Sequence, residues 1–390
     1  MRTSTHFKRF LSANFLVAFF GVITGVILAR NLSVADRGEL AEILLWTSLG
    51  VTIGSESIRE YLLSFKNQNV KVESKVLLLA SIITILLPFF LLFDNDYYEY
   101  VGYSFLFGLI NLISISYLAK VQVKGDFANL SLYKVIVPLV NLVILIATFF
   151  YDLGIWFALF SLLIANTVLL VKLIVSESLV EVARHGKINN YIHVLFSIIV
   201  ITIINQMDRI VIAKVAGPEE MAYFVISLTI VATPLTIIGQ SISSYMVIDI
   251  KKRKSDFNKY IDKKFVITLL LLGIIAGIIY FFSNWIISTV FGEKYLPAIA
   301  YGVLCSCFAI FTNIRTLYNY ALRGLGLNKL VSILQLLMLS TLFVLYFVYL
   351  NYKIDVKSLL WLLISMQFTF FVGFYLYVRN VYLSNYHNDM

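Results

Sequence analysis

Charge is scarce in this chain of 390 residues: Asp, Glu, Lys and Arg make up 14% of it, against about a quarter in a soluble domain. Cysteine is almost missing. Cys305 and Cys307 lie one residue apart in an apolar run, where a helix points them in different directions. They read as a free, buried pair rather than a disulfide or a metal site, and no disulfide scaffold is present. No G-x-x-x-x-G-K-[ST] stretch occurs, so the chain holds no nucleotide-driven motor. What fills the chain instead is apolar: 60% of residues are hydrophobic, and the mean hydropathy is +0.88. This composition excludes a soluble enzyme and a disordered protein.

Runs without Asp, Glu, Lys or Arg are long enough to cross a bilayer, which takes about 20 residues of helix. They cover 10–29, 76–93, 100–119, 135–151, 153–171, 188–207, 221–248, 265–292, 295–314, 330–352 and 358–378. A twelfth, polar-faced span is expected over 38–65, where Glu56, Arg59 and Glu60 interrupt an otherwise periodic apolar pattern. The expected fold is all-α and polytopic, with twelve transmembrane helices. The first run lacks an A-x-A cleavage site and ends at Arg30, so it reads as a span rather than a secretory signal.

Lysine and arginine set the orientation. With the N-terminus cytoplasmic, 21 of the 31 basic residues fall in cytoplasmic segments and six in outer ones. Both termini are then cytoplasmic, and the acidic turn from Asp94 to Glu99 is outside. The net charge of +9 and the KKRK run at 251–254 read as a topology-fixing loop against anionic lipid, not as a nucleic-acid site. Asp94 and Asp96 match the D-x-D of metal-dependent glycosyltransferases but read as an outer turn.

The halves repeat. At an offset of 184, residues 26–30 (VILAR) fall on 210–214 (IVIAK), Asp36 on Glu220 and Leu40 on Phe224. Glu56-Ser57 meets Gln240-Ser241. Six spans per half keep equivalent helices in the same orientation, which makes a parallel repeat about an axis along the membrane normal. The expected domains are an N-terminal six-helix bundle over 1–176, a cytoplasmic linker over 177–190 and a C-terminal six-helix bundle over 191–390, around a central cavity.

Residues 27–40 (ILARNLSVADRGEL) and 205–224 (NQMDRIVIAKVAGPEEMAYF), in a chain of this layout, resemble Wzx-type oligosaccharide flippases of the multidrug/oligosaccharidyl-lipid/polysaccharide (MOP) exporter superfamily. The second copy of the A-R/K-x-L-G-P turn fits better than the first, where Ser33-Val34 replaces Gly-Pro. A third match is Ala321 to Gly326. The resemblance covers nearly the whole chain. It implies transport of undecaprenyl-pyrophosphate-linked oligosaccharide repeat units from the inner to the outer leaflet of a bacterial plasma membrane, for O-antigen or capsule assembly. A polysaccharide polymerase and a chain-length regulator are the implied partners besides membrane lipid. No cofactor, metal or catalytic residue is implied.

Ionisable groups at membrane depth cost about 2.5 kcal/mol or more each, so they usually face a cavity and serve a function. Glu56, Arg59 and Glu60 share one helix face at i, i+3 and i+4. Asn205, Asp208 and Arg209 repeat that spacing, with Gln206 beside them. Asn313, Arg315, Thr316 and Asn319 make a polar half-helix from which Tyr318 points away. Gln240, Ser241, Ser243 and Ser244 are polar without charge. Arg59, Arg209 and Arg315 suit pyrophosphate, because a guanidinium makes paired hydrogen bonds. Asn205, Gln240, Asn313 and Asn319 suit sugar, while Glu56 and Asp208 suit proton or cation coupling. The alternative is that Glu56–Arg59 and Asp208–Arg209 are internal charge pairs that only hold helices together. Lys134 is expected to snorkel to the cytoplasmic edge, and His193 to line a wall rather than carry protons. Two other functions compete. A polymerase or glycosyltransferase needs a large outer loop, whereas the longest loop here, near 249–264, is cytoplasmic. A small-molecule antiporter keeps the transport class. A major-facilitator transporter is disfavoured by the loop at 66–71.

Overall fold

The computed structural model describes residues 2–63, 72–95, 97–123, 126–147, 154–177, 182–183, 188–239, 257–324, 328–352 and 355–377. The helices, in chain order, are α1 (Arg2–Asn31), α2 (Val34–Leu63), α3 (Ser74–Asp94), α4 (Val101–Val123), α5 (Phe127–Ile146), α6 (Ile155–Ser176), α7 (Ile188–Val215), α8 (Gly217–Ser227), α9 (Phe257–Ile286), α10 (Gly302–Gly324), α11 (Asn328–Tyr352) and α12 (Val356–Tyr377). α8 runs on through a π turn (Leu228–Ala232) into a helical stretch over 233–239. α9 also ends in a π turn (Ile287–Phe291), and a 3-10 stretch (Glu293–Tyr301) leads into α10. Among the described residues, the strand content is one two-residue parallel pairing, β1 (Val72–Glu73) with β2 (Val182–Ala183).

Nine helical stretches among the described residues are long and apolar enough to cross a membrane. α2 is outside that set because its length carries Asp36, Arg37, Glu39, Glu42, Glu56, Arg59 and Glu60. The described apolar stretches of α11 and α12, 330–344 and 357–373, are shorter. Large apolar side chains stand outward, among them Val175 at 78% and Phe281 at 80% exposed. Such surfaces are untenable in water and ordinary against lipid. This is a multi-pass membrane protein.

By contacts the chain divides into two compact units, residues 1–203 with 217–222, and residues 204–216 with 223–390. The sequence places the change of halves at 177–190, much of which is outside the described residues; the contact-based units change inside α7, between Ile203 and Ile204. The reason is local to the start of that helix. The Tyr191 hydroxyl bonds Ser57 Oγ at 2.8 Å, its ring meets Tyr61 edge-on, and Leu195 joins the same core as Ile58 and Leu62.

The first unit is held by close helix packing. Gly50 and Gly54, four apart on α2, sit against Pro88 and Thr84 of α3, and Gly108 of α4 also abuts Thr84. Small residues at this spacing let helix backbones approach in lipid, where apolar burial gives no drive of its own. A Cβ at Gly54 meets Thr84, whereas one at Gly273 meets open space. Gly54→Val is expected to destabilise by about 1–3 kcal/mol, seen as a lower thermal midpoint of the detergent-solubilised protein, with Gly273→Ala unchanged.

The repeated turns are both helix breaks. The 184-residue offset carries the end of α1 at Asn31 onto the end of α7 at Val215. At the first break, the Ser33 hydroxyl accepts the Asp36 N–H at 3.0 Å and donates to its carboxylate at 2.7 Å, a side-chain N-cap. At the second, Gly217 takes a positive φ of 79°, open to glycine. Pro218 follows as the second residue of α8, with Glu219 and Glu220 in its first turn, where the helix dipole favours acids. Gly38 packs directly on the Pro218 carbonyl, with no room for a side chain.

Candidate functional site

In the first unit, α2 presents its charges on one face, as the spacing predicts. Arg59 Nη1 meets Glu56 Oε1 at 2.8 Å and Nη2 meets Glu60 Oε1 at 3.2 Å. All three side chains keep roughly a quarter to a third of their surface exposed (27–34%), so the cluster opens onto space rather than being sealed in a core. Lys134 of α5 lies within electrostatic range of both Glu56 and Arg59. The residue is exposed on α5. The neighbouring Tyr133 turns to α6, its hydroxyl against Ser176 at 3.0 Å and Glu177 at 3.3 Å.

Elsewhere in this unit, the first turns of α2 bind phenols. Tyr97 donates to Glu42 at 2.7 Å and Tyr100 to Glu39 at 3.3 Å. Burial and the Glu42 carboxylate hold the Tyr97 phenol well above its ordinary pKa. These contacts explain why a helix with so many acids remains packed. Asp94 closes α3; Asp96 lies outside the described residues. His193 is on an exposed face of α7.

In the second unit, Arg315 of α10 reaches Asn205 of α7. Its Nη2 donates to Asn205 Oδ1 at 2.6 Å, and its Nη1 is 3.3 Å from Met338 Sδ of α11. Both partners are neutral, so these contacts leave the guanidinium charge uncancelled. Among the described residues no ion pair involves Arg315. Asp208 is buried at 3% exposure and forms no side-chain ion pair with Arg209. Its Oδ1, Arg209 Nε and Gln206 Oε1 are buried without hydrogen-bond partners among the described residues. Side-chain charge pairing is thus present on α2 and, among the described residues, absent between Asp208 and Arg209 on α7. Asp208 borders a cavity no larger than one water, walled by Phe224, Leu304, Phe308, Leu360 and Ile364.

The remaining expected groups separate. Asn313 is buried, donates to the Ala309 carbonyl at 2.8 Å and fills the space beside Gly239, so its amide serves packing. Asn319 is half-buried on α10. Tyr318 turns away, as expected, into a ring cluster with Phe371 and Tyr375. Gln240, Ser241, Ser243, Ser244 and the KKRK run lie outside the described residues. Cys305 is buried and Cys307 half-buried, both as free thiols. Met338 and Gly239 are the neighbours that sequence reasoning missed, while it reads Lys134 as snorkelling. Neither Met338 nor Gly239 had a signal in the sequence.

A family model described as "Polysaccharide biosynthesis protein" matches residues 27–300. No curated protein matches the chain. Solved structures share the fold. The lipid II flippase MurJ in an inward closed conformation aligns at TM-score 0.68 and 14% identity, covering 95% of this chain and 87% of that one. An outward-facing multidrug resistance MATE family transporter of the MOP superfamily aligns at TM-score 0.64 and 13% identity, covering 99% and 97%. A MOP superfamily transporter from Pyrococcus furiosus aligns at TM-score 0.59 and 14% identity, covering 97% and 95%.

Proposed function

From the premise that this chain belongs to the polysaccharide biosynthesis protein family, we propose that it is a flippase for undecaprenyl-pyrophosphate-linked oligosaccharide in a bacterial plasma membrane. The repeat units pass from the inner to the outer leaflet by alternating access, for O-antigen or capsular polysaccharide, and both termini are cytoplasmic. The observation that carries the reading is Arg315, a guanidinium inside an apolar helix bundle whose hydrogen-bond partners, Asn205 and Met338, are neutral. An arginine held this way keeps its charge for an anion and repels an organic cation, which favours a pyrophosphate cargo over a cationic small molecule. Arg209 adds further positive charge at membrane depth, Arg59 adds a guanidinium held by Glu56 and Glu60 until cargo arrives, and the amides Asn205 and Asn319 suit sugar hydroxyls. The chain takes part in transport and makes no glycosidic bond.

The driving force follows from the cargo. With the inside negative, each negative charge moved outward gains about 2.3 kcal/mol per 100 mV, so a pyrophosphate carrying roughly two charges is pushed outward. Glu56 and Asp208 are the groups proposed to couple that movement to protons or cations. The product goes to a polymerase and a chain-length regulator in the outer leaflet. In a strain carrying a disruption of this gene, surface polysaccharide is expected to disappear while lipid-linked repeat units persist in the inner leaflet. Unpolymerised units accumulating in the outer leaflet would instead identify a polymerase.

A further inference from the structure

We propose that the lipid-facing surface of α6 carries a seat for one anionic phospholipid, with a chain in a groove over 163–171 and the phosphate on the Lys172 ammonium. The inference goes beyond the transport reading and does not depend on the cargo. Leu163, Ile164, Thr167, Val168 and Val171 line a groove of about 310 Å³ on this helix. Thr167 brings no unmet polarity to it, because its Oγ1 donates to the Leu163 carbonyl at 2.9 Å. A short side chain between longer ones leaves a hollow, which a hydrocarbon chain fills with contacts. The opposite side of these turns is already taken. Leu169 and Leu173 pack with Tyr117, Leu130 and Tyr133 of α4 and α5, so the groove faces away from that core.

Charge at one end of the groove selects the occupant. Trp156, Phe160, Ile164, Val168 and Lys172 recur at every fourth position, all exposed, as one ridge winding slowly along α6. Trp156 and Lys172 stand about 24 Å apart along the helix axis, close to the hydrocarbon thickness of about 30 Å. A tryptophan suits one membrane interface, which brings Lys172 to headgroup level at the other, one turn beyond Val168. Among the described residues Lys172 makes no ion pair. The acid nearest to it in the chain after this point, Glu177, lies about 140° round the helix and accepts the Tyr133 hydroxyl at 3.3 Å. An ammonium over an apolar groove matches a phosphate carried on acyl chains. A zwitterionic headgroup brings its own cation and gains less from Lys172. A compact, mobile point charge is enough here, since a single phosphate has to be met and no fork is needed.

The probes are phosphatidylglycerol and phosphatidylcholine with identical chains. Each is added to the purified full chain in detergent and counted on it by native mass spectrometry, with thermal midpoints measured beside it. The wild type is expected to retain one phosphatidylglycerol in preference to phosphatidylcholine, and to gain thermal midpoint from it. Lys172→Gln is expected to weaken phosphatidylglycerol binding about fivefold and erase the preference, and Lys172→Arg to keep it. Thr167→Trp fills the groove and is expected to lower retention several-fold, while Leu270→Trp, on an exposed apolar face of α9, leaves it unchanged. Glycerol phosphate, the headgroup without chains, is expected not to compete. Equal retention of the two lipids by the wild type, a preference kept in Lys172→Gln, or a loss as large in Leu270→Trp as in Thr167→Trp would each overturn the seat. Competition by glycerol phosphate would reduce it to a surface anion contact, and displacement by undecaprenyl phosphate would give the groove to the cargo's own lipid; either result overturns the assignment. If Lys172→Gln does not fold, Thr167→Trp against Leu270→Trp carries the test.

Discussion

Replacing Arg59, Arg209 and Arg315 together by alanine is expected to abolish surface-polysaccharide export, with each single Arg→Ala variant reduced about tenfold or more, since a charge-assisted hydrogen bond contributes about 1.5–3 kcal/mol. Arg→Lys at the same positions keeps the charge and loses the fork, so partial activity is expected. The three arginines differ in what their removal leaves behind. Arg315→Ala abandons only an amide and a thioether, so abundance holds while export falls. Arg59→Ala strands Glu56 and Glu60, so abundance falls as well. Adding Glu56→Ala to Arg59→Ala is expected to restore abundance and not export. Restoration of both would make the α2 cluster a helix tie and nothing more. Membrane abundance measured beside polysaccharide yield separates these outcomes, and normal yield in the triple variant would end the cationic account.

Asp208→Leu is expected to give a protein that is more stable and inactive. The carboxyl is 3% exposed among apolar walls, and its Oδ1 lacks a hydrogen-bond partner among the described residues. A buried polar group in that condition costs about 1–3 kcal/mol, and leucine removes the cost. Asp208→Asn keeps the shape and cannot ionise, so export is expected to fall at least tenfold with abundance unchanged. A site that lowers stability is retained when function needs it. Export at wild-type level in Asp208→Leu, measured per molecule in the membrane, would show that the carboxyl couples nothing.

The two polar helix faces show where a sequence is legible. Glu56, Arg59 and Glu60 are i, i+3 and i+4 with opposite signs, and one helix surface is enough to pair them. The same spacing on α7 holds Asn205, Asp208 and Arg209. There, the residue three before Asp208 is neutral and its charged neighbour is adjacent, where side chains diverge. Asp208 therefore turns inward while Asn205 accepts from Arg315, 110 residues away. Lys134 shows the same limit. Its depth was visible in an apolar run, but the charges it acts on depend on how α5 is rotated, which its own neighbours do not encode. Helices from strongly apolar runs were legible throughout the described residues, including the uneven α2. The Tyr191–Ser57 bond, which draws the first turns of α7 into the first unit, had no sequence signal.

The most direct test reconstitutes the purified chain in liposomes with undecaprenyl-pyrophosphate-linked oligosaccharide. The quantity measured is the fraction of oligosaccharide that an added, membrane-impermeant glycosidase can reach over time. The account predicts that this fraction rises with the wild-type protein and stays at the protein-free level with Arg59, Arg209 and Arg315 all replaced by alanine, while the oligosaccharide keeps its length. A wild-type fraction no higher than that of protein-free liposomes, or oligosaccharide chains that lengthen, would contradict it.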